Sequence, residues 1–393
     1  MRAVDTLRLG LADAADPRDM LAGSGASASL FSALEQLVGE VVPLGGDLPP
    51  HLARAARLAG TVPRLRPADA RDLRGSVARL HHAAQLGRPM LAARWMLVRR
   101  KLAGAGVLDA IVQRGCEMKL PGGHPVVTYE DSTVLQAWGS YPWPHLAGLD
   151  EQDIRRYAGR QRAAYEAALA CCCATHWVAD SITGSYGIPR ERVFTVGLGQ
   201  NHAAPEPPER DWSTPRYLFV GVDWGRKNGD AVLRAFARVR ESVPDATLDV
   251  VGGHPRIDQQ GVTGHGSLSL VSAQDRERMA DLYGRATAFV MPSLHEPAGI
   301  VYVEAGSAGV GSVGTTNGGA ATMIGAGGIL VDPRDDDAIV AAMLEFADAG
   351  TARQFGALAH AHAGLFTWRR VAERLVRAMR IPGVDVSGLA DFL

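Results

Sequence analysis

The sequence predicts an α/β protein of two Rossmann-like domains, each on its own parallel sheet. Short apolar runs alternate with longer segments of helical periodicity in both halves. A proline-rich stretch, Ala203 to Pro215, interrupts that alternation, which then restarts. The length, 393 residues, suits two cores rather than one.

The first half begins with a strand, Arg8 to Ala12, and a polar loop from Asp13 to Gly25. Ala26 to Val38 follows as a helix, with Leu30, Phe31, Leu34 and Leu37 on one face, and Val41 to Leu44 is the next strand. Residues 50–58 and 72–112 are mostly helical and arginine-rich, and His124 to Tyr129 is a strand after a Gly-Gly turn. We expect a long helix from Asp150 to Ala174, a strand over Thr175 to Ala179, a short helix from Ser181 to Tyr186 and a strand over Val193 to Val196. In the second half, strands are expected at Arg216–Val222, Ala246–Val251, Ala288–Met291, Gly311–Thr315 and Gly328–Val331. Helices are expected at Asp230–Val243, Ala273–Arg285, Val301–Ala308, Asp336–Ala347 and Trp368–Met379. The domains are then 1–203 and 216–367, with 204–215 as linker and 368–393 as a C-terminal helical segment.

Composition narrows the function. The chain is 47% apolar and 21% charged with a net charge of −1, an ordinary soluble balance that gives no global attraction to nucleic acid. It has no apolar run long enough to span a bilayer and its first residues lack a signal-peptide pattern, so a cytoplasmic protein is expected. Cys171, Cys172 and Cys173 are adjacent on a segment read as helical, so they diverge and read as small buried apolar residues. Lys101, Lys119 and Lys227 are the only lysines.

Chemistry concentrates in three segments of the second half. Glu296 and Glu304 stand eight positions apart, the first on a strand-to-helix loop with His295 beside it, the second about one turn inside the helix that Gly299 and Ile300 introduce. Both can line one ligand site at the carboxyl end of a parallel sheet. The strand ending at Gly221 delivers a glycine-rich loop with adjacent cations, Arg226 and Lys227, suited to negative charge on a departing phosphate. The loop Gly314 to Ala320, with Asn317 and Gly318, follows a strand and offers backbone N–H groups. Asp332, Asp335, Asp336 and Asp337 read as helix caps rather than metal ligands.

The glutamate pair resembles the Glu-x7-Glu signature of retaining GT-B glycosyltransferases, family 4 in particular. The Gly221–Gly229 loop resembles that family's phosphate-facing segment, although Val222 stands where the family has its first arginine. The resemblance implies two Rossmann-like domains facing across a cleft, with a C-terminal helix crossing back to the first. It implies transfer of a sugar from a UDP- or GDP-sugar to an acceptor hydroxyl, with retention, a front-face mechanism, and neither metal nor cofactor. Glu296 would then contact the sugar, Glu304 the ribose, and Arg226 and Lys227 the diphosphate. Gly299, Ile300, Gly221, Asn317, Gly318 and His295 would line the donor site. Asp131 stands near the position of a first-domain histidine in the family, and is the catalytic candidate there.

The residues also admit other readings. The loop with Gly23, Ser24 and Gly25 reads either as a donor-phosphate loop or as a dinucleotide fingerprint of an NAD(P)-dependent oxidoreductase. A third possibility is a GT-B module that binds a sugar nucleotide without turnover. The helix from Arg88 to Lys101 reads as a core helix or as a basic face for peripheral membrane contact. The acceptor class (small molecule, lipid or glycan) and the oligomeric state are not specified by these residues.

Overall fold

The computed structural model describes every residue except 1, 21–24, 62–79, 81–83, 121, 144–145, 147–148, 201–206, 208 and 270–271. Gly23, Ser24, residues 72–79 and 81–83 of the arginine-rich segment, and residues 204–206 and 208 of the expected linker therefore lie outside the described residues. The chain divides into two compact units, Met1–Gly199 with Trp368–Leu393, and Gln200–Thr367.

Unit 1 is a six-stranded sheet of strands β1 (Arg8–Asp13), β2 (Glu40–Gly45), β3 (Ala110–Arg114), β4 (Val126–Glu130), β5 (Ala170–Cys173) and β6 (Val193–Thr195). The order is β2-β1-β3-β4-β5-β6 and every pairing is parallel. Its described helices are α1 (Ala26–Glu35), α2 (Pro50–Thr61), α3 (Arg88–Gly104), α4 (Val134–Ser140), α5 (Glu151–Ala167), α6 (His176–Gly184) and the returning α13 (Trp368–Met379). Leu30, Phe31 and Leu34 of α1 share a core with Leu9 and Leu11 of β1 and with Val371 and Leu375 of α13. Arg374 of α13, only 1% exposed, donates to the backbone oxygens of Val196 at 3.0 Å and Asp391 at 2.6 Å. Those bonds satisfy a guanidinium that burial would otherwise leave costly.

Three expectations in this unit need correction. Residues 110–114 are not helical but form β3, a central strand whose Ala110, Ile111 and Val112 are fully buried. The long helix stops at Ala167, and Cys171, Cys172 and Cys173 lie on strand β5. Strand alternation sends Cys172 to one core and Cys171 and Cys173 to the other, and all are buried. Thr175 to Ala179 is not a strand: Thr175 caps α6 by accepting from the Val178 N–H at 3.4 Å. Helix α3 buries Met90, Leu91, Val98 and Leu102 and leaves Met96 exposed.

Unit 2 repeats the plan with β7 (Arg216–Gly221), β8 (Thr247–Gly252), β9 (Val262–Gly266), β10 (Ala288–Val290), β11 (Gly311–Thr315) and β12 (Gly328–Val331). Their order is β12-β11-β10-β7-β8-β9, again all parallel. Its helices are α7 (Gly229–Ser242), α8 (Ala273–Arg285), α9 (Ile300–Ser307), α10 (Ala320–Ile324), α11 (Asp336–Glu345) and α12 (Ala349–Ala363). Val232, Phe236 and Val239 of α7 are buried, as their spacing requires, and Asp335 caps α11 through the Ala338 N–H at 2.9 Å. Among the described residues, no helix is long and apolar enough to cross a membrane.

Both sheets change direction once. In unit 1 the chain runs outward from β1 to β2 and returns to β3; in unit 2 it runs from β7 through β8 to β9 and returns to β10. The crevice beyond the carboxyl ends of the strands at such a reversal is where open α/β sheets hold ligands.

Candidate active site

The unit 2 reversal lies between β7 and β10, and the two loops leaving those strands carry the site. After β7 the backbone turns tightly: the Asp223 carboxylate accepts from the Arg226 N–H at 3.1 Å and the Asp223 carbonyl from the Lys227 N–H at 2.9 Å. Asn228 closes the turn in the left-handed region (φ 63°), which asparagine tolerates better than most residues. Its side-chain amide donates to the carbonyls of Pro292 at 3.1 Å and Pro333 at 2.7 Å, tying this loop to those after β10 and β12. Gly221 leaves room for the Lys227 stem, since a Cβ there would lie 2.8 Å from Lys227 Cγ.

The loop after β10 brings Glu296 to the same place. Its carboxylate accepts from Lys227 Nζ in a short ion pair and from Ser293 Oγ at 3.2 Å, with Arg226 Nη1 at 3.6 Å. Lys227 is 8% exposed and Glu296 4%. Burial pushes the Glu296 carboxyl up, but Lys227 and Arg226 together outweigh it and hold it below the ordinary glutamate value. Arg226 also donates to the His295 carbonyl at 3.1 Å. Burial, only partly offset by Glu296, pushes the His295 imidazole down to about 4, so the ring is neutral at pH 7.

The third segment locks the second. Glu296 and Gly318 form an isolated parallel bridge: the Glu296 N–H donates to the Asn317 carbonyl at 3.2 Å, and the Gly319 N–H to the Glu296 carbonyl at 2.8 Å. Asn317 adds a side-chain bond to the Leu294 carbonyl at 3.1 Å. Gly318 has φ 104°, and a Cβ there would fall 2.1 Å from the Glu296 oxygen, so no other residue fits without moving the loop. Gly299 (φ 87°) caps α9, and a Cβ on it would come within 3.1 Å of Glu296 Cγ. Ile300 opens α9 and Glu304 lies one turn on, 9% exposed, accepting from Tyr283 Oη at 3.2 Å.

The structure thus brings Arg226, Lys227, His295, Glu296, Asn317 and Gly318 into one network, with Gly221 and Gly299 as clearances. Sequence reasoning missed Ser293, Tyr283 and the clamp made by Asn228. Only the last carried a signal, an Asn-Gly pair in a turn. Asp131 belongs to unit 1, just past β4, half exposed and 4.0 Å from Arg114. Gly25 caps α1 in the left-handed region (φ 75°).

Residues 214–349 match the family model described as glycosyl transferases group 1. The second unit carries a group 1 glycosyl transferase domain. D-inositol 3-phosphate glycosyltransferase 1 of Catenulispora acidiphila is 30% identical over 230 residues, 51% of this chain and 54% of that one. A protein of Mycolicibacterium smegmatis named GDP-mannose-dependent alpha-(1-6)-phosphatidylinositol monomannoside mannosyltransferase is 32% identical over 198 residues, 44% of this chain and 51% of its own. The chain spans about half the length of these curated relatives. Sucrose-phosphate synthase of Thermosynechococcus elongatus superposes with a TM-score of 0.65 at 18% identity, over 95% of this chain and 98% of that one. That likeness concerns the fold, which is GT-B: two six-stranded parallel α/β units. The matched glycosyl transferase segment contains the whole Lys227–Glu296 network and Glu304.

Proposed function

We propose that the protein is a retaining glycosyltransferase that moves a sugar from a nucleoside-diphosphate sugar to an acceptor hydroxyl. The Lys227–Glu296 ion pair, with Arg226 beside it at the sheet reversal, is the observation that carries this reading. In the donor complex Arg226 and Lys227 face the diphosphate, where an arginine fork and an ammonium stabilise charge that grows as the sugar–phosphate bond breaks. Glu296 takes the sugar hydroxyls, Glu304 the ribose hydroxyls, and the backbone around Asn317 and Gly318 the phosphate side of the donor. The acceptor oxygen forms its bond to the anomeric carbon on the face from which the diphosphate leaves, and the acceptor proton passes to the departing phosphate oxygen. The two side-chain cations supply the charge compensation, so the reaction runs without a metal. Unit 1 receives the acceptor and unit 2 the donor.

One relative's name gives GDP-mannose and phosphatidylinositol monomannoside and the other's gives D-inositol 3-phosphate, which supports a nucleotide-sugar donor and a polyol-bearing acceptor. The test is a thermal-shift panel of UDP, GDP, TDP and ADP, followed by donor hydrolysis with the matching sugars in the presence and absence of chelator. Stabilisation by one diphosphate, with slow hydrolysis abolished in Glu296→Ala, is the expected result. No response to any nucleotide would end the reading.

A further inference from the structure

The reversal in unit 1 lies between β1 and β3, and a cavity of about 220 Å³ opens beside it at the strands' carboxyl ends. Its charged lining is Asp13, Arg114, Glu117, Glu130 and Asp131, with Ser132, Thr133, Gln161 and the Tyr157 ring among them. Four carboxyl groups thus surround a single cation.

Several details hold this arrangement. Arg114 ends β3 and donates to Asp13 Oδ2 at 3.2 Å and to Ser27 Oγ at 2.6 Å, while Ser27 Oγ itself donates to Asp13 in a short bond. The guanidinium is therefore turned toward Asp13 and Asp131 rather than left for an anion. Gly115 (φ 76°) lets Glu117 fold back, because a Cβ there would lie 2.9 Å from its Oε2. The Gln113 amide fixes that loop by donating to the carbonyls of Gly115 at 3.0 Å and Met118 at 2.7 Å. Glu130 ends β4 and is 7% exposed. Its partners are the Tyr165 hydroxyl at 3.4 Å and the Cys116 thiol. Burial pushes its carboxyl up to about 8, with Glu117 and Asp131 adding to the effect. At neutral pH it keeps its proton, an O–H donor at the cavity wall.

We propose that this cavity seats the acceptor and selects a polyol ring, a sugar or cyclitol, that carries no phosphate. The proposal rests on the transferase reading and narrows its acceptor. Neighbouring ring hydroxyls donate well to carboxylates, and a protonated Glu130 donates to a ring or hydroxyl oxygen. A phosphate would meet the Asp131 carboxylate, while Arg114, the one cation lining the cavity, is already paired with Asp13. The volume fits one ring, being smaller than the roughly 300–1,000 Å³ of drug-sized sites.

Calorimetric titration of the full chain with two matched pairs tests this: myo-inositol against D-inositol 3-phosphate, and glucose against glucose 6-phosphate. At least one neutral ring should bind about tenfold or more tighter than its phosphorylated partner. Asp131→Lys, at a half-exposed position, should shrink or reverse that ratio with the unfolding transition retained; Asp131→Asn should weaken the neutral ring. Preference for a phosphorylated ring, or no saturable binding of either neutral ring, overturns the proposal. The nucleotide panel is scored separately. Polyol binding without nucleotide binding would sink the transferase reading and leave the cavity standing, and the converse would sink only the cavity.

Discussion

The two units share a sheet order and a reversal point, yet fill that point differently. In unit 2, two cations converge on one glutamate, and backbone from three loops is stitched together by Asn228, Asn317 and the Glu296–Gly318 bridge. In unit 1, one arginine is shared among two aspartates and a serine, and the remaining carboxyls face an open cavity. The same topology therefore ends in a cation pair around one carboxylate in unit 2, and in carboxyl groups around one cation in unit 1. Fold decides where a ligand lies; the side chains at the strand ends decide its charge.

The largest effect should come from Glu296→Ala. It removes the carboxylate and leaves Lys227 buried beside Arg226 without its counter-charge. We expect turnover to fall about 10²–10³-fold and stability by about 3–5 kcal/mol, measured by donor turnover and denaturant unfolding. An equal loss from Asp13→Ala would erase the contrast between the two reversal points. Next is Gly318→Ala, which forces a Cβ toward the Glu296 carbonyl and should cost about 1–3 kcal/mol in backbone strain. Nucleotide binding should weaken with it, and a variant that binds normally would show that the bridge does not position Glu296.

A pH experiment separates the units without a ligand. Because the folded-state pKa of Glu130 is raised to about 8 from 4.5, the unfolded chain has lost a proton that the folded chain keeps throughout that window. Stability from this group therefore falls as pH rises from about 4.5 to 8, and no change is expected below the lower value. Glu130→Gln should flatten the decline of Tm between pH 5 and 8. An unchanged slope would mean that Glu130 does not hold its proton. The smallest effect is Asp335→Ala, which removes the cap of α11 at a cost of about 1 kcal/mol. Tm should drop slightly with nucleotide affinity unchanged, showing that instability in unit 2 by itself does not disturb the site.

Unit 2 was more legible in the sequence than unit 1. Helix Ala273–Arg285 matches the range its periodicity predicts, with Ser272 capping its start and Ala286 leaving it in extended conformation. Glu296, Arg226 and Lys227 stood out because short loops follow buried strands there. β5 was not legible, since Ala170–Cys173 has no β-branched residue and only Ala168 and Leu169 separate it from α5. β9 escaped for a related reason: Val262–Gly266 is a partly exposed edge strand with two glycines and little apolar pattern.

Apolar periodicity and glycine placement are local properties of the chain, so most of the alternation of strands and helices could be read without the fold, with β3, β5 and β9 as exceptions, and so could the residue types at the strand ends of unit 2. Tertiary structure decided the strand order, hence where each sheet reverses, and so which distant residues meet. Lys227 and Glu296 are 69 positions apart, and Asp13 and Arg114 are 101. Their pairing depends on parallel crossovers closing, which no local window of sequence encodes.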